Sequence, residues 1–428
     1  MSFKAADVGI VPEAWDVEEL RYFLDLITYG FTNPMPDSDE GPWKLTAKDV
    51  VNGRINYGTA RRTTIEAFKS KLTDKSRPRV GDVLLTKDGS IGRVAVVDRD
   101  GVCINQSVAL LRPKKNINPE FLKYLLISPH YQRVMEGDSD GSTIKHIYIT
   151  RVDKMQVAVP PLAEQSEILK VVGTIDDRIT LLRETNTTLE AIAQALFKSW
   201  FVDFDPVRAK AEGRQPEGMD ATTAALFPDS FEESELGLVP KGWRIGKVED
   251  VMDLPYGKAL KSTDRIDGDV PVYGSGGITG YHNESLIDGP SIIVGRKGTV
   301  GSLYWEDRPF FPIDTVFYVK AKQPLTYCYY LLQTLGLEGM NTDGAVPGLN
   351  RNNAYRLQVV VPSAPALQAF DEIVAGVREK IFANGQQAQT LTHLRDTLLP
   401  RLISGQLRLP EAMAQITEST TQELINAN

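Results

Sequence analysis

The chain has 428 residues, of which 42% are hydrophobic and 24% are charged, a composition typical of a soluble protein with two or three domains. No apolar run approaches the roughly 20 residues of a membrane helix, and the first residues lack the pattern of a secretion signal. Two cysteines and four histidines are too few for a disulfide framework or a dedicated zinc site. We therefore expect a cytoplasmic protein without a structural metal.

The net charge of −8 conceals one basic segment. Residues 41–161 carry 21 basic and 12 acidic side chains, whereas residues 1–40 carry 2 and 9. Residues 241–360 are balanced, with 13 of each. Basic segments of this kind are typical of surfaces that contact phosphate groups, although a solvated surface without a partner explains the charge equally well.

Four segments of the chain recur in the same order, at offsets that fall from 228 to 202 residues. They are residues 9–15 with 237–243, 83–92 with 292–301, 121–126 with 327–332, and 155–160 with 357–362. Ordered matches of this kind indicate that one unit of about 200 residues occurs twice, with different loop lengths.

The first part of each copy is predicted to be rich in β-strands. In the first copy, strands are expected at residues 82–86 and 91–97, separated by a Lys-Asp-Gly-Ser turn. A short helix is expected over residues 121–127, because Asn118 is a typical helix cap and Pro119 a typical first helical residue. The second copy repeats this plan and adds a glycine-rich loop.

A long helix ends each copy. Its apolar positions are spaced alternately by four and three residues for more than four heptads, which is the pattern of a coiled-coil seam. The two seams are Ile168, Val172, Ile175, Ile179, Leu182, Asn186, Leu189, Ala193, Leu196 and Trp200, and Phe370, Val374, Val377, Ile381, Asn384, Ala388, Leu391, Arg395, Leu398 and Leu402.

Each seam contains one asparagine, and burying both is least costly if they face each other and share hydrogen bonds. We therefore predict an antiparallel helix pair with Asn186 opposite Asn384. The same register places Trp200 opposite Phe370 and leaves both ends of the pair flush. The alternative is that each helix packs separately on its own domain.

These features predict an α+β fold with a pseudo-two-fold internal repeat. Two β-rich domains are each followed by a long helix, and the two helices form an antiparallel coiled coil. The expected boundaries are 1–160 for the first domain, 161–205 for the first helix, 206–236 for an acidic connector, 237–362 for the second domain, 363–405 for the second helix and 406–428 for a tail. The connector has six acids and no base over residues 217–235, so we expect it to be exposed.

The sequence contains no evident catalytic site. Residues 274–280 and 295–301 resemble phosphate-binding loops, but neither lies between a strand and a helix, and hairpin loops explain them better. No group of histidine, cysteine and carboxylate residues has metal-ligand spacing, and no nucleophile pattern is present. A duplicated chain with basic loops and long helices favours a binding device whose two unlike modules contact two sites.

Several motifs resemble those of the specificity subunits of type I restriction–modification enzymes. They are residues 159–165 (Val-Pro-Pro-Leu-Ala-Glu-Gln) and 196–208, the openings 11–15 and 239–243, residues 256–258 and 271–278 of the second module, and the ending 399–407. The second copy departs from the pattern, because Ser-Ala-Pro-Ala-Leu-Gln follows Pro362 without the Pro-Pro and the Glu of the first copy. This departure would alter one partner contact.

The resemblance implies a non-catalytic subunit that binds double-stranded DNA. Each of its two target-recognition domains would read one half of a bipartite, asymmetric target, and the paired helices would set the gap. Two methylating subunits with S-adenosylmethionine would join it. Whether two restriction subunits with ATP and Mg also join stays open, and no cofactor is expected on this chain. Two other functions also stay open: a DNA methyltransferase or nuclease with an unrecognised site, and a protein-binding scaffold.

The expected DNA contacts are basic and polar side chains in the loops of both modules. In the first module they are Arg54, Arg61, Arg62, Lys69, Lys71, Lys87, Ser90, Arg93, Gln106, Ser142, Thr143, Lys145 and His146. In the second module they are Lys258, Lys261, Tyr273, Ser275, Arg296, Lys297, Thr299, Asn350 and Arg351. Because the second module carries no net positive charge, we expect fewer phosphate contacts there.

Overall fold

The computed structural model describes residues 3–6, 8–137, 146–340 and 348–407. It divides the chain into two compact units, residues 1–181 with 388–428 and residues 182–387. Each of the two long helices contributes to both units, so each unit holds one β-rich module and a segment of both helices.

The first unit consists of short strands and helices. Its strands are β1 (Phe3–Ala6), β2 (Gly9–Pro12), β3 (Asp16–Glu19), β4 (Leu24–Tyr29), β5 (Ser38–Leu45), β6 (Val50–Val51), β7 (Arg54–Ile55), β8 (Arg61–Arg62), β9 (Val83–Thr86), β10 (Val94–Val96), β11 (Val102–Ile104), β12 (Val108–Pro113) and β13 (Gln156–Val159). Its helices are α1 (Ile65–Ser70), α2 (Pro119–Ile127), α3 (Pro129–Gly137) and α4 (Ile149–Val152), followed by the beginning of α5 (Leu162–Phe201).

The second unit follows the same order. Its helices are the end of α5, α6 (Asp205–Ala211), α7 (Ala221–Ala224), α8 (Val248–Val251), α9 (Leu325–Thr334), α10 (Arg351–Tyr355) and the beginning of α11 (Ala364–Ile403). Its strands are β14 (Phe231–Ser234), β15 (Gly237–Pro240), β16 (Arg244–Lys247), β17 (Met252–Asp253), β18 (Val270–Gly274), β19 (Gly277–His282), β20 (Ser291–Gly295), β21 (Leu303–Glu306), β22 (Phe311–Pro312), β23 (Val316–Tyr318), β24 (Lys320–Ala321) and β25 (Gln358–Val361).

The two modules share their strand pairing. Strands β9 and β10 form the predicted antiparallel hairpin within a four-stranded sheet of order β10-β9-β12-β4. Strands β20 and β21 form the matching hairpin in a sheet of order β21-β20-β23. The strand before each long helix also pairs with an early strand of its module, β13 with β3 and β25 with β16. These shared ladders confirm the internal repeat.

Local sequence signals explain two elements between these strands. The Asn118 side chain accepts a hydrogen bond from the backbone nitrogen of Glu120, and Pro119 is the first residue of α2, as expected for a capped helix. The glycine-rich segment of the second module is the hairpin β18–β19. Its turn brings Gly274 opposite Gly277, which adopts a φ of +100°.

Each unit has one large hydrophobic core that includes residues of both long helices. In the first unit, Trp15, Phe23 and Phe121 share their core with Ile168 of α5 and Leu402 of α11. All five side chains are at most 2% exposed. Burial of large aromatic side chains on this scale stabilises the module against both helices.

Helices α5 and α11 pair antiparallel, as predicted. In the second unit, Nδ2 of Asn384 donates to Oδ1 of Asn186 at 2.9 Å, and the rings of Trp200 and Phe370 are 6.1 Å apart. The two helices therefore run in opposite directions along their shared seam. The separate packing of each helix on its own domain is excluded, because the helices contact each other within each unit.

The segment between α5 and the second module differs from its expected exposure. All six of its acids are exposed, but some of its apolar side chains are buried. Phe227 is 2% exposed, and its ring lies 5.0 Å from that of Trp200. Part of the segment therefore packs into the second unit, because burying an aromatic side chain of this size is favourable in free energy compared with leaving it in water.

Candidate nucleic-acid interface

Four of the predicted contacts in the second module meet in one cleft of about 450 Å³. Its lining consists of Tyr256, Arg296, Lys297, Gly348, Leu349, Asn350, Arg351 and Asn352. The loop of the β20–β21 hairpin supplies Arg296 and Lys297, whose backbone nitrogens both donate to the carbonyl oxygen of Thr315. The backbone nitrogen of Leu349 donates to the carbonyl oxygen of Arg296 at 2.8 Å, which brings the start of α10 to the same loop.

Tyr256 lines this cleft and is 47% exposed. The guanidinium groups of Arg296 and Arg351 are each 4.8 Å from its ring centroid, within the range of cation–π contact. The adjacent Gly257 is required by close packing, since a Cβ there would lie 2.1 Å from the carbonyl oxygen of Ile313. Glycine at position 257 therefore permits the close approach of this segment to Ile313.

Among the described residues, the cations of the cleft have no acidic partner. Over the described ranges, no ion pair joins Arg296, Lys297 or Arg351 to an acid. The Arg296 Nη1 instead donates to the backbone carbonyl oxygen of Asp314 at 2.7 Å. Three cations that form no ion pair in the described part of the chain favour an anionic or acceptor-rich ligand.

The first module has the corresponding site, in which an acid takes the place of one of the cations. Lys87 occupies the position of Arg296, and its Nζ lies 5.2 Å from the ring centroid of Tyr29. Asp88 occupies the position of Lys297; its carboxylate lies 3.0 Å from the Lys87 Nζ and also contacts Nδ1 of His146. Lys87 is only 7% exposed, so this site is compact and partly neutralised.

The equivalence of the two sites rests on the backbone. The nitrogen of Ile147 donates to the carbonyl oxygen of Lys87 at 2.8 Å, as that of Leu349 does to Arg296. Similarly, Gly30 donates to the carbonyl oxygen of Val108, as Gly257 does to Val316. Tyr29 and Tyr256 are thus related by the repeat, although sequence reasoning singles out neither as a contact.

Much of the basic segment in the first module is paired with acids. Arg54 lies 3.4 Å from Asp177, and Arg61 lies 3.2 Å from Asp37. The hydrogen bond from Lys44 and the charge of Arg61 lower the pKa of Asp37, which remains a carboxylate. Net charge therefore overstates the cationic surface that this module offers to a ligand.

Several other predicted contacts in the first module remain on its surface. Lys69 and Lys71 are exposed near the end of α1, and Ser90 and Gln106 are exposed in loops. Arg62 lies 4.5 Å from the ring centroid of Trp43, and Arg93 donates to the carbonyl oxygen of Val50. The predicted contacts Ser142, Thr143 and Lys145 lie outside the described residues.

In the second module, two of the expected contacts also have a structural role. Tyr273 is 6% exposed, and its hydroxyl donates to Glu306 at 2.9 Å, so it is a core residue. Burial, reinforced by the Glu306 charge, raises its pKa well above the ordinary tyrosine value. Asn350 caps α10, since its Oδ1 accepts from the nitrogens of Asn352 and Asn353. Both side chains have a structural partner that the sequence pattern does not reveal.

The remaining contacts of the second module lie outside the cleft lining. Lys258 and Lys261 are exposed. Ser275 and Thr299 lie near one another, because the Ser302 hydroxyl is within hydrogen-bond distance of both of their carbonyl oxygens, at 2.5 and 3.0 Å. Asn352 is a further exposed member of the cleft that sequence reasoning does not select.

The described part of the chain shows neither a metal centre nor a membrane helix. No group of three or more histidine, cysteine or acidic side chains within it is arranged to hold a metal ion. None of its helices is both long and apolar enough to cross a membrane.

Comparison with known proteins places these features in a family. A sequence model of the type I restriction modification DNA specificity domain matches residues 13–191 and 240–369. The MjaIX type I restriction enzyme specificity subunit of Methanocaldococcus jannaschii is 25% identical over 444 residues, covering 96% of this chain and 97% of that protein. The HindI specificity subunit of Haemophilus influenzae is 30% identical over 410 residues, covering 78% of this chain and 88% of that protein.

A solved structure has the same fold. The S subunit of a type I restriction–modification system from M. genitalium is 20% identical to this chain and superposes with a TM-score of 0.57. The match covers 92% of this chain and 96% of that chain. It confirms the α+β architecture of the chain.

Proposed function

Because the chain belongs to the family of type I restriction–modification DNA specificity subunits, we propose that it reads a bipartite, asymmetric DNA target, one half-site with each β-rich module. Specificity subunits are the non-catalytic, DNA-recognising chains of such systems. The main support for a bipartite target is that the site is repeated. In each module, a Tyr-Gly pair lies beside a hairpin loop, and a cationic side chain of that loop lies over the tyrosine ring.

The two sites differ in the groups that they present to DNA. The cleft of the second module offers Arg296, Lys297 and Arg351, whereas the equivalent site of the first module combines Lys87 with Asp88 and His146. Arginine and lysine donate to guanine or phosphate, while a carboxylate accepts from cytosine. Unlike groups at equivalent positions support two different half-site sequences.

In this proposal, residues 1–160 and 237–362 are the two target-recognition domains. The helices at 161–205 and 363–405 separate their half-sites, with 206–236 as the connector and 406–428 as a tail. Helices α5 and α11 each have 40 residues. Helices of that length are roughly 60 Å long, which is enough to set a gap of several base pairs.

The partners in this proposal are double-stranded DNA and two methylating subunits that carry S-adenosylmethionine. Where the system also cleaves DNA, two restriction subunits with ATP and Mg join, and the chain itself binds no cofactor. Because such a system acts on DNA inside the cell, we place it in the cytoplasm.

The test is a map of adenine methylation in genomic DNA from cells that carry this gene and its methylating partner, and from cells in which this gene is deleted. We expect methylation at one interrupted, asymmetric motif to be lost on deletion. Replacing residues 1–160 by those of another specificity subunit should then change one half of the motif and leave the other intact. Identical maps in the two strains would overturn the proposal, and a change in both halves would overturn the assignment of one half-site to each module.

Two further observations distinguish the other functions. Methyl transfer by the purified chain without partners would indicate a methyltransferase with an active site of its own. A motif that does not respond to module replacement would indicate a scaffold.

A further inference from the structure

The guanidinium group of Arg351 is held by stacking and has unused hydrogen-bond donors. Its central carbon is 4.8 Å from the ring centroid of Tyr256 and 5.7 Å from that of Tyr355. Its Nε is buried and without a hydrogen-bond partner, and within the described ranges its terminal nitrogens Nη1 and Nη2 have no partner either, so these two are the donors left for a ligand. Arg296, on the same tyrosine ring, is instead anchored through its bond to the Asp314 carbonyl oxygen. Arg351 is thus the better placed of the two to bind a ligand.

A planar guanidinium group with free donors matches two neighbouring acceptor atoms. In double-stranded DNA, such pairs are two phosphate oxygens or O6 and N7 of guanine in the major groove. Stacking on two tyrosine rings restrains the plane of the guanidinium group, which base recognition requires and a phosphate contact does not. This restraint favours the guanine edge.

We infer that Arg351 recognises a guanine, through O6 and N7, in the half-site bound by the second recognition domain; the inference rests on the proposed DNA-specificity function. Arg296 is a positioning residue, since it lies against the same Tyr256 ring. Two guanidinium groups at one ring repel each other, and the acceptor-rich edge of guanine relieves that repulsion.

The first module lacks this contact. The residue equivalent to Arg351 is Ile149, the first residue of α4, which has no side-chain donor. The inferred guanine contact therefore belongs to one half-site only, and the other half-site provides an internal control for folding and assembly.

The experiment compares methylation maps of cells that carry the wild-type chain, Arg351→Gln or Arg356→Gln, each with the methylating partner. Arg356 is a matched control, because it is an exposed arginine directly after the same helix. With wild type and Arg356→Gln, we expect one position of the second half-site to be guanine. With Arg351→Gln, we expect that position to accept other bases while the rest of the motif is unchanged.

Binding of the assembled complex to DNA duplexes gives the magnitude. The wild-type complex should prefer guanine over the other bases at that position by roughly 10-fold to 100-fold, as for a bidentate arginine contact. Arg351→Gln should bring this preference close to one. Arg351→Lys keeps the charge but lacks the planar fork, so we expect it to retain most of the affinity and to lose part of the preference.

Three results would overturn the inference while leaving the proposed function intact. They are a wild-type second half-site without guanine, an Arg351→Gln complex with an unchanged base preference, and a loss of affinity that is equal for all sequences, which indicates a phosphate contact. A wild-type chain that directs methylation to no motif would overturn the proposed function, and this inference with it.

Discussion

Asn384 donates a 2.9 Å hydrogen bond from Nδ2 to Oδ1 of Asn186, and Asn186 donates one of the same length to the carbonyl oxygen of Ile381. Asn384 is 3% exposed. In the repeat, Leu182 of α5 is equivalent to Asn384 of α11, and Ala388 of α11 is equivalent to Asn186 of α5. Leu182 and Ala388 are both buried and apolar. The asparagine pair is therefore a polar exception to the pseudo-two-fold symmetry of the seam. A buried asparagine of this kind specifies the register of paired helices.

Asn384→Leu should destabilise the second unit, because it leaves Oδ1 of Asn186 without its donor. We expect a loss of about 1–3 kcal/mol in the free energy of unfolding. The double variant N186L/N384L removes both amides and should recover most of that loss. Denaturant unfolding of the four proteins of the double-mutant cycle measures the coupling. Lys380→Leu, on the exposed surface of α11 in the same unit, is the control. Additive effects of the two asparagine substitutions would contradict the prediction.

Gln165 shows how the two copies differ at the start of their long helices. It is completely buried; its Oε1 accepts from the nitrogen of Asn118 at 2.7 Å, and its Nε2 donates to the carbonyl oxygens of Pro160 and Asn116 at 2.8 and 3.1 Å. The equivalent residue of the second copy is Leu367, which is 2% exposed in an apolar core. The two copies therefore attach the start of their long helices differently, through a hydrogen-bonded polar side chain in the first copy and an apolar side chain in the second.

Gln165→Leu should destabilise the first unit by about 1–3 kcal/mol, since three backbone groups lose their partner at once. Glu164→Gln is the neighbouring control, because Glu164 accepts from Nε1 of Trp15 at 3.1 Å and a glutamine oxygen can do the same. Thermal unfolding of both variants tests the prediction. Equal midpoints for Gln165→Leu and wild type would show that the three hydrogen bonds contribute nothing net.

The sequence predicts what depends on local patterns. The four-three spacing predicts helices α5 and α11, and the Asn-Pro pair predicts the start of α2, because helix periodicity and capping involve residues a few positions apart. The hairpins around residues 87–90 and 296–302 follow from the recurrence of one turn motif. Alignment of the chain with itself therefore accounts for most of the architecture.

The candidate site was less predictable, because its parts are far apart in the chain. Tyr256 meets Arg296 and Arg351 only after the sheet and α10 have formed, and no local pattern links them. Tyr273 fits a surface loop by sequence, yet its hydroxyl pairs with Glu306, which lies 33 residues away. Net charge was also misleading, because ion pairs within the first module neutralise much of its basic segment.

Both cysteines should be unreactive in the folded chain. Cys103 lies in the first unit and Cys328 in the second, and burial raises the pKa of each thiol to about 12. At pH 8 the thiolate, which is the reactive form, is then a minor species by a factor of about 10⁴. We expect a thiol reagent to modify neither cysteine at pH 8 until denaturant opens the protein. The variants Cys103→Ser and Cys328→Ser show which labelling signal belongs to which cysteine, so the two labelling rates report the opening of each unit separately. Rapid labelling of the native chain would contradict the burial of the cysteines.

Exchanging the charge at the equivalent positions 88 and 297 should change DNA affinity in opposite directions. Lys297→Asp places a carboxylate beside Arg296 and Arg351, so the assembled complex should bind DNA more weakly. The slope of log affinity against log salt concentration should become shallower by at least ~0.9, which corresponds to the loss of one phosphate contact. Asp88→Lys removes the acceptor that pairs with Lys87 and His146, so it should strengthen non-specific binding and steepen the salt dependence. Lys320→Asp, an exposed change of the same charge outside the cleft, is the control for a general effect of net charge. Titration of fluorescent duplexes at several salt concentrations measures the DNA affinity of all three variants. Equal effects of Lys320→Asp and Lys297→Asp would show that the cleft has no special part in binding.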